Sequence, residues 1–302
     1  MTSDPVGPTF AGIPRMPAIF GRQPGPRQRA DGPGRHPADA GSTLNTFVVA
    51  RADANALVAL LPRHFVLAGP LLIVEAISVD GLPWLAGRGY EVLVVSTPVI
   101  YLSAAGDEHR GRLALVVWED FPDAITSGRE ELGWSKVYAD AMVRSVDGDR
   151  VTYTVAWHGT EFFRMDVQLD GSPPGAGAWR AGPLMHYRVL PRTGDWGRLE
   201  VEQVTGPAQV SEPDPGAVRG GIGSFRFVPS TFARLPTLVH IVNGLAGITL
   251  GDPVEAGQFR SKGWSDLYDM RVLGDHLSDA RRDRPACGCR FHSPTNECEN
   301  HD

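Results

Sequence analysis

Lysine is nearly absent from this chain. Of 29 basic residues in a sequence of 302, only Lys136 and Lys262 are lysines, and arginine supplies the rest. A lysine retained where arginine carries the ordinary charge asks for a reason, chance retention being the plain one. An amine can lose its proton and condense with a carbonyl to an imine, whereas a guanidinium cannot. Long apolar runs are also missing. No stretch of about 18 apolar residues occurs, which excludes a typical transmembrane helix. A basic excess is missing too: the net charge is −6 and the pI about 5.8, which argues against nucleic acid as the main partner. Cysteine is scarce, and Cys287, Cys289 and Cys298 all lie near the C-terminus, so no disulfide framework runs through the body. The N-terminus carries Asp4 and several prolines where an export signal needs a basic start and an apolar run. A cytoplasmic protein is expected. There is no G-x-S-x-G elbow for a hydroxyl nucleophile, and Gly128-Arg-Glu lacks the spacing of a phosphate loop.

What is present divides into three parts. Residues 1–41 are rich in Pro, Gly and Arg and read as an arm, with apolar residues in Met16–Arg27 able to anchor it to a body. Residues 42–275 carry regular hydrophobic patterning, and residues 276–302 form a charged tail bearing Cys and His. Within the body, strands are predicted at Leu44–Ala50, Leu71–Ser78, Tyr90–Tyr101, Leu113–Glu119 and Met185–Leu190, with further strand-like stretches at 198–209, 224–229, 246–250 and 266–272. Ala141–Ser145, Arg150–Trp157 and Glu161–Leu169 read as an antiparallel meander. Helical spacing marks Asp53–Leu61, ended by Pro62, a turn at Glu130–Val137, and Ala233–Asn243 ending at Gly244. Many short strands with few helices predict a mostly β (α+β) fold of antiparallel sheets, forming a barrel or sandwich.

The tail spacing C-x-C-x2-H-x5-C-x2-H, from Cys287 to His301, offers five potential metal ligands. One residue between the first two cysteines is tight for zinc, which prefers two to four. No metal is assigned, and an unstructured tail is the expected reading. His158, His186 and His240 stand alone along the chain and read as structural or surface residues. Lys136 lies in Gly128-Arg-Glu-Glu-Leu-Gly-Trp-Ser-Lys-Val-Tyr138, flanked by Trp134, Val137 and Tyr138. Apolar neighbours can desolvate an amine and favour its neutral, nucleophilic form. Lys262, in a polar Arg260-Ser-Lys-Gly turn, lacks such neighbours.

The segment Gly128–Lys136 resembles the acetoacetate decarboxylase family, in which a GRE sequence leads to the Schiff-base lysine; Lys136 falls at that position. Val74-Glu-Ala, Trp84–Tyr90, Tyr187–Pro191 and Gly251–Glu255 resemble family segments in the same order, so the likeness spans roughly residues 45–272. The resemblance implies antiparallel sheets closing into barrel-like layers around a buried lysine, usually in an oligomer. It also implies an imine that acts as an electron sink. Three departures stand out. The second lysine of the decarboxylase is Val137 here. One of two pocket glutamates matches Glu75, whereas the other position holds Val92, with Glu91 one residue off and so on the opposite strand face unless a bulge restores it. The carboxylate-binding arginine falls near Thr43, leaving Arg27 or Arg22 on the arm as substitutes.

These readings lead to a lyase that uses Lys136 as imine nucleophile on a keto acid or keto metabolite, by decarboxylation or by aldol and dehydration chemistry. Glu75 and Glu91 are the candidate proton carriers. Arg27, Tyr90 and Trp134 are the candidate substrate contacts. No cofactor, nucleic-acid partner or membrane is expected, and a homo-oligomer is. The rivals are a cofactor-free cyclase or isomerase of secondary metabolism and a non-catalytic ligand binder.

Overall fold

The computed structural model describes residues 15–17, 19, 36–37, 40–172, 177, 180, 182–207, 218–263 and 270–277. Its strands are β1 (Ser42–Ala52), β2 (Phe65–Leu67), β3 (Leu71–Leu82), β4 (Arg88–Leu102), β5 (Glu108–Glu119), β6 (Lys136–Tyr138) and β7 (Ala141–Asp147), then β8 (Arg150–Trp157), β9 (Thr160–Leu169), β10 (Leu184–Arg192), β11 (Asp195–Pro207), β12 (Arg219–Phe227), β13 (Leu250–Lys262) and β14 (Met270–Asp275). Three short helices accompany them: α1 (Ala54–Val58), α2 (Pro122–Ser127) and α3 (Val239–Ala246). Hydrogen bonding orders the sheet β14-β11-β10-β5-β4-β3-β1-β13-β12-β9-β8-β7, with β2 on β4 and β6 on β5. Pairing is antiparallel except where β5 meets β10 and β6. The mostly β, antiparallel expectation is therefore met.

The central strands are dense in β-branched residues, which pack well on a pleated surface. Their alternation serves two interiors. Leu93, Val95 and Trp118 point into the largest core, together with Val48, Tyr153, Phe162 and α3 residues Val242 and Leu245. Val92, Val94 and Val117 point the other way, into a smaller cluster with Val79, Leu82 and Ala114. The sheet curls enough for Tyr153 of β8 to meet Ser78 of β3 at 2.9 Å, although β1, β13, β12 and β9 lie between them in the hydrogen-bonding order. No helix among the described residues is long and apolar enough to cross a membrane.

Several local expectations are corrected. The helix expected at Asp53–Leu61 is one turn, Ala54–Val58, opened by Asp53, whose carboxylate accepts from the Ala56 amide at 2.7 Å. The helix near residue 240 runs Val239–Ala246, so it passes through Gly244 and starts later than expected. β13 is the largest omission: LGDPVEAGQFRSK carries two glycines after its start and a proline, yet it pairs with β1 along nearly its whole length. Tertiary pairing overrides weak local propensity there. The expected helical turn at Glu130–Val137 is displaced: α2 runs into a π-turn at Gly128–Leu132, and Lys136 opens a strand. Arg22, Arg27 and the Cys/His tail from Cys287 to His301 lie outside the described residues. Among the described residues no cluster of metal-ligating side chains occurs.

Candidate active site

The GREELGWSK segment is built around the lysine side chain. α2 begins with Pro122 at its first turn, a position where the missing amide costs nothing. The chain then widens into the π-turn, and Gly133, with φ of 73°, stops it in the left-handed region. Gly128 makes room: a Cβ there would stand 2.4 Å from Lys136 Cδ and 2.8 Å from Nζ. Arg129 donates to the Lys136 carbonyl at 2.8 Å, fixing the backbone of the residue it precedes by seven. Arg188 of β10 donates to the Glu130 carbonyl at 2.8 Å. Buried Glu131 pairs with Arg15 of the arm, and its carboxyl is pushed up by burial against the pull of that guanidinium. Gly128, Arg129, Glu130, Glu131 and Gly133 thus hold the loop or leave space for Lys136.

Lys136 is 3% exposed. Its Nζ donates to Glu119 Oε1 at 2.7 Å and to the Ala124 carbonyl at 3.0 Å, and it sits 4.7 Å from the centre of the Trp134 ring. Sheet register explains the pairing. Lys136 lies opposite Val117, and Glu119 is two residues further along the same face of β5, a diagonal neighbour. Burial raises the Glu119 carboxyl above its ordinary value, while the Lys136 ammonium works against that rise. Tyr90, opposite Val79 on the same face, is also pushed up, by burial and then by Glu119 and Asp120, and it stacks on Phe121 at 6.3 Å.

The two glutamates named from the sequence lie elsewhere. Glu75 shares the lysine face, in the register row Glu75–Val94–Val117–Lys136. Three strand spacings separate it from Lys136 along that row, roughly 14 Å. Its carboxylate instead pairs with Arg112 and accepts from Asn45 Nδ2 at 2.9 Å, and Arg112 also donates to Ser96 Oγ at 3.4 Å. Glu91 lies opposite Ser78, one residue out of phase with Val92, and the only register shift within the β4–β5 pairing falls later, between Val95 and Ser96. Its side chain therefore faces the large core, accepting from Ser78 Oγ at 2.9 Å and Tyr153 at 3.5 Å. Burial pushes its carboxyl up to about 7. No bulge returns it to the lysine side.

Sequence reasoning passed over Glu119 and Arg112, and it read His186 as a structural or surface residue. Glu119 closes the apolar run Leu113–Trp118, so a charged end residue in phase with Val117 was the available signal. His186 of β10 is fully buried and stacks on Trp134 with ring centres 4.8 Å apart. Burial, and then the Lys136 charge, hold it down at about 3, so its imidazole is neutral. A separate apolar cleft of about 300 Å³ runs between β5, Tyr187 and α3 and reaches Ser135, next to the lysine.

With this geometry in hand, the chain can be set beside known proteins. The family model described as acetoacetate decarboxylase matches residues 23–249. An acetoacetate decarboxylase from Legionella pneumophila superposes with a TM-score of 0.57 at 18% identity, covering 84% of this chain and 94% of that one. The enduracididine biosynthesis enzyme MppR, complexed with pyruvate, gives 0.56 at 16% identity, covering 78% and 90%. An acetoacetate decarboxylase-like enzyme from Sphingomonas wittichii gives 0.54 at 18% identity, covering 80% and 96%. No protein of curated function matches the sequence.

Proposed function

This chain belongs to the acetoacetate decarboxylase family, and from that premise we propose that it is an enzyme forming a Schiff base between Lys136 and a small keto compound. The observation that carries the proposal is the buried Lys136–Glu119 pair, at 2.7 Å on an inward sheet face. Imine formation needs a neutral amine. In the decarboxylase pattern a second lysine helps to supply it by repulsion; here that position is Val137. Glu119 reaches the same end by accepting the proton. Burial, which raises its carboxyl, makes that acceptance less costly.

The steps follow from this pair. A proton passes from Nζ to Glu119 Oε1. The free amine adds to the substrate carbonyl, and Glu119 returns its proton to the carbinolamine hydroxyl, which leaves as water to give an iminium. The electron pair of a bond at the adjacent carbon flows into the iminium; decarboxylation releases carbon dioxide, and an aldol-type cleavage releases a carbonyl fragment. Glu119 is reprotonated, from solvent after decarboxylation or by the substrate hydroxyl in the aldol-type cleavage, and gives that proton to the enamine; water then hydrolyses the iminium and restores the lysine ammonium. Tyr90 and Trp134 line the lysine side of the sheet as substrate contacts. Arg112, held by Glu75, is the arginine on this face, and Arg27 is a further carboxylate contact from the arm. MppR, solved in complex with pyruvate, supports a small keto substrate. Pyruvate, acetoacetate and longer 2- and 3-oxo acids, each with borohydride, should leave a reduced adduct on Lys136 in peptide mass spectra. Absence of label from every member, while a control Schiff-base enzyme labels, rejects the proposal.

One observation favours a second reading, a cyclase or isomerase that uses acid–base chemistry alone. Lys136 Nζ already has two oxygen acceptors, Glu119 and Ala124. An arginine at position 136 keeps a charge there, so Lys136→Arg retains activity under the second reading and abolishes it under the first.

A further inference from the structure

Buried polar groups in folded proteins nearly always find partners, because an unmade hydrogen bond in the interior is costly. Among the buried atoms without one are Glu119 Oε2, Trp134 Nε1, and both ring nitrogens of His186. They belong to one constellation. Glu119 is bonded to Nζ, Trp134 lies under Nζ, and His186 stacks on Trp134. β10 holds His186 there by alternation. Met185 and Tyr187 turn into a separate apolar cluster, while His186 and Arg188 turn toward the Gly128–Trp134 loop.

The chemistry of the four atoms is specific. The indole nitrogen only donates, and the free carboxylate oxygen only accepts. A neutral imidazole does one of each. These four atoms offer two donors and two acceptors; the Lys136 charge is already paired with Glu119, and the Arg188 guanidinium is bonded to the Glu130 carbonyl. Such a set matches an uncharged oxygen, a carbonyl or hydroxyl, better than a second carboxylate, which would sit beside Glu119.

We propose that His186, with Trp134, forms the neutral hydrogen-bonding end of the Lys136 site and selects ketones that carry a second, uncharged oxygen two carbons from the carbonyl. This deepens the Schiff-base reading and rests on it for the position of the reacting carbonyl. His186 touches substrate and sets specificity; its neutral state makes it a hydrogen-bond partner and not a proton carrier. A pocket built to bond an oxygen discriminates against the analogue that lacks it, because its own groups are then left unpaired.

The test compares 4-hydroxy-2-butanone with 2-butanone, which differ by one oxygen, and with acetoacetate. Borohydride labelling of Lys136 at subsaturating ketone should favour the hydroxyketone by roughly tenfold or more over 2-butanone. In His186→Phe, which keeps the ring stack and loses both nitrogens, that preference should collapse to about twofold. His186→Phe should melt no lower than wild type, since it removes two unpaired polar atoms. His186→Gln restores a donor and an acceptor and should recover part of the preference. An unchanged preference in His186→Phe, or stronger labelling by acetoacetate that His186→Phe leaves intact, overturns the proposal. A second arm needs no imine. Ligand-detected NMR of 1,3-butanediol against 2-butanol should show selective binding of the diol to wild type, lost in His186→Phe. If no ketone labels Lys136 but the diol selectivity holds, only the Schiff-base reading falls; if the diol shows no dependence on His186, this proposal falls whatever the ketones do.

Discussion

Glu119 and Glu91 sit almost side by side in the sheet and lead different lives. Val92, the neighbour of Glu91, pairs directly with Glu119. One residue of phase sends Glu119 to the lysine face and Glu91 to the face of Ser78 and Tyr153. Burial raises both carboxyls. Arg144 acts on the Glu91 carboxyl only through space, whereas Glu119 is bonded to the Lys136 ammonium at 2.7 Å, so under the proposed Schiff-base chemistry Glu119 is the partner of the amine. Strand parity thus decides which carboxyl meets the lysine.

Removing Lys136 should break the contrast most severely. Lys136→Met should abolish borohydride labelling and, by leaving Glu119 buried without its cation, cost about 3–5 kcal/mol of stability in urea titrations. Adding Glu119→Leu should return most of that loss, because two apolar side chains replace the pair. If the double variant is no more stable than the single one, the pair does not couple as the geometry states.

The next effect separates the two carboxylates. Glu119→Gln should slow the appearance of labelled Lys136 by about 10²–10⁴-fold, the range for a lost proton carrier. Glu91→Gln should change it less than about threefold. Equal losses would mean that the two faces are functionally connected. A smaller effect is expected from Gly128→Ala, whose methyl group would displace the lysine side chain. A misplacement of about 1 Å costs up to about a hundredfold in rate, and the same substitution should leave Glu91 titration unchanged by NMR.

The smallest effect is on stability against pH. The Glu91 carboxyl stands at about 7 in the folded protein against an ordinary 4.5. Between those values the folded state holds the extra proton, so Glu91's contribution falls as pH rises from about 4.5 to about 7. Glu91→Gln should remove that part of the slope and make the protein relatively more stable at pH 8 than at pH 5, as denaturant midpoints will show. His186 has the opposite sign. Its imidazole is held at about 3, so its contribution is complete above the ordinary 6.5 and is lost as pH falls toward 3.

Much of the scaffold was legible from local pattern. Alternating β-branched runs identified β3, β4, β5 and the β7–β9 meander because half-buried strands repeat every two residues. β13 was not legible, since its glycines and proline are tolerated only once β1 supplies the pairing. At the site, Lys136 was visible through its rarity and its GRE setting. Glu119 carried only the signal of a charged end to the Leu113–Trp118 run, which does not reveal that β6 returns to lie parallel to β5. His186 was read as structural, and only its stacking on Trp134 from a distant strand reveals its place.

The amino-acid sequence by itself determined the strand-rich class and singled out Lys136, because these rest on composition, period-two patterning and a short motif. Tertiary structure decided which acid meets the amine. Glu75 was drawn to Arg112, Glu91 was turned into the core, and Glu119 was placed 2.7 Å from Nζ. The physical reason is that strand pairing joins residues far apart in the chain, and a shift of one residue in register reverses the face each side chain serves.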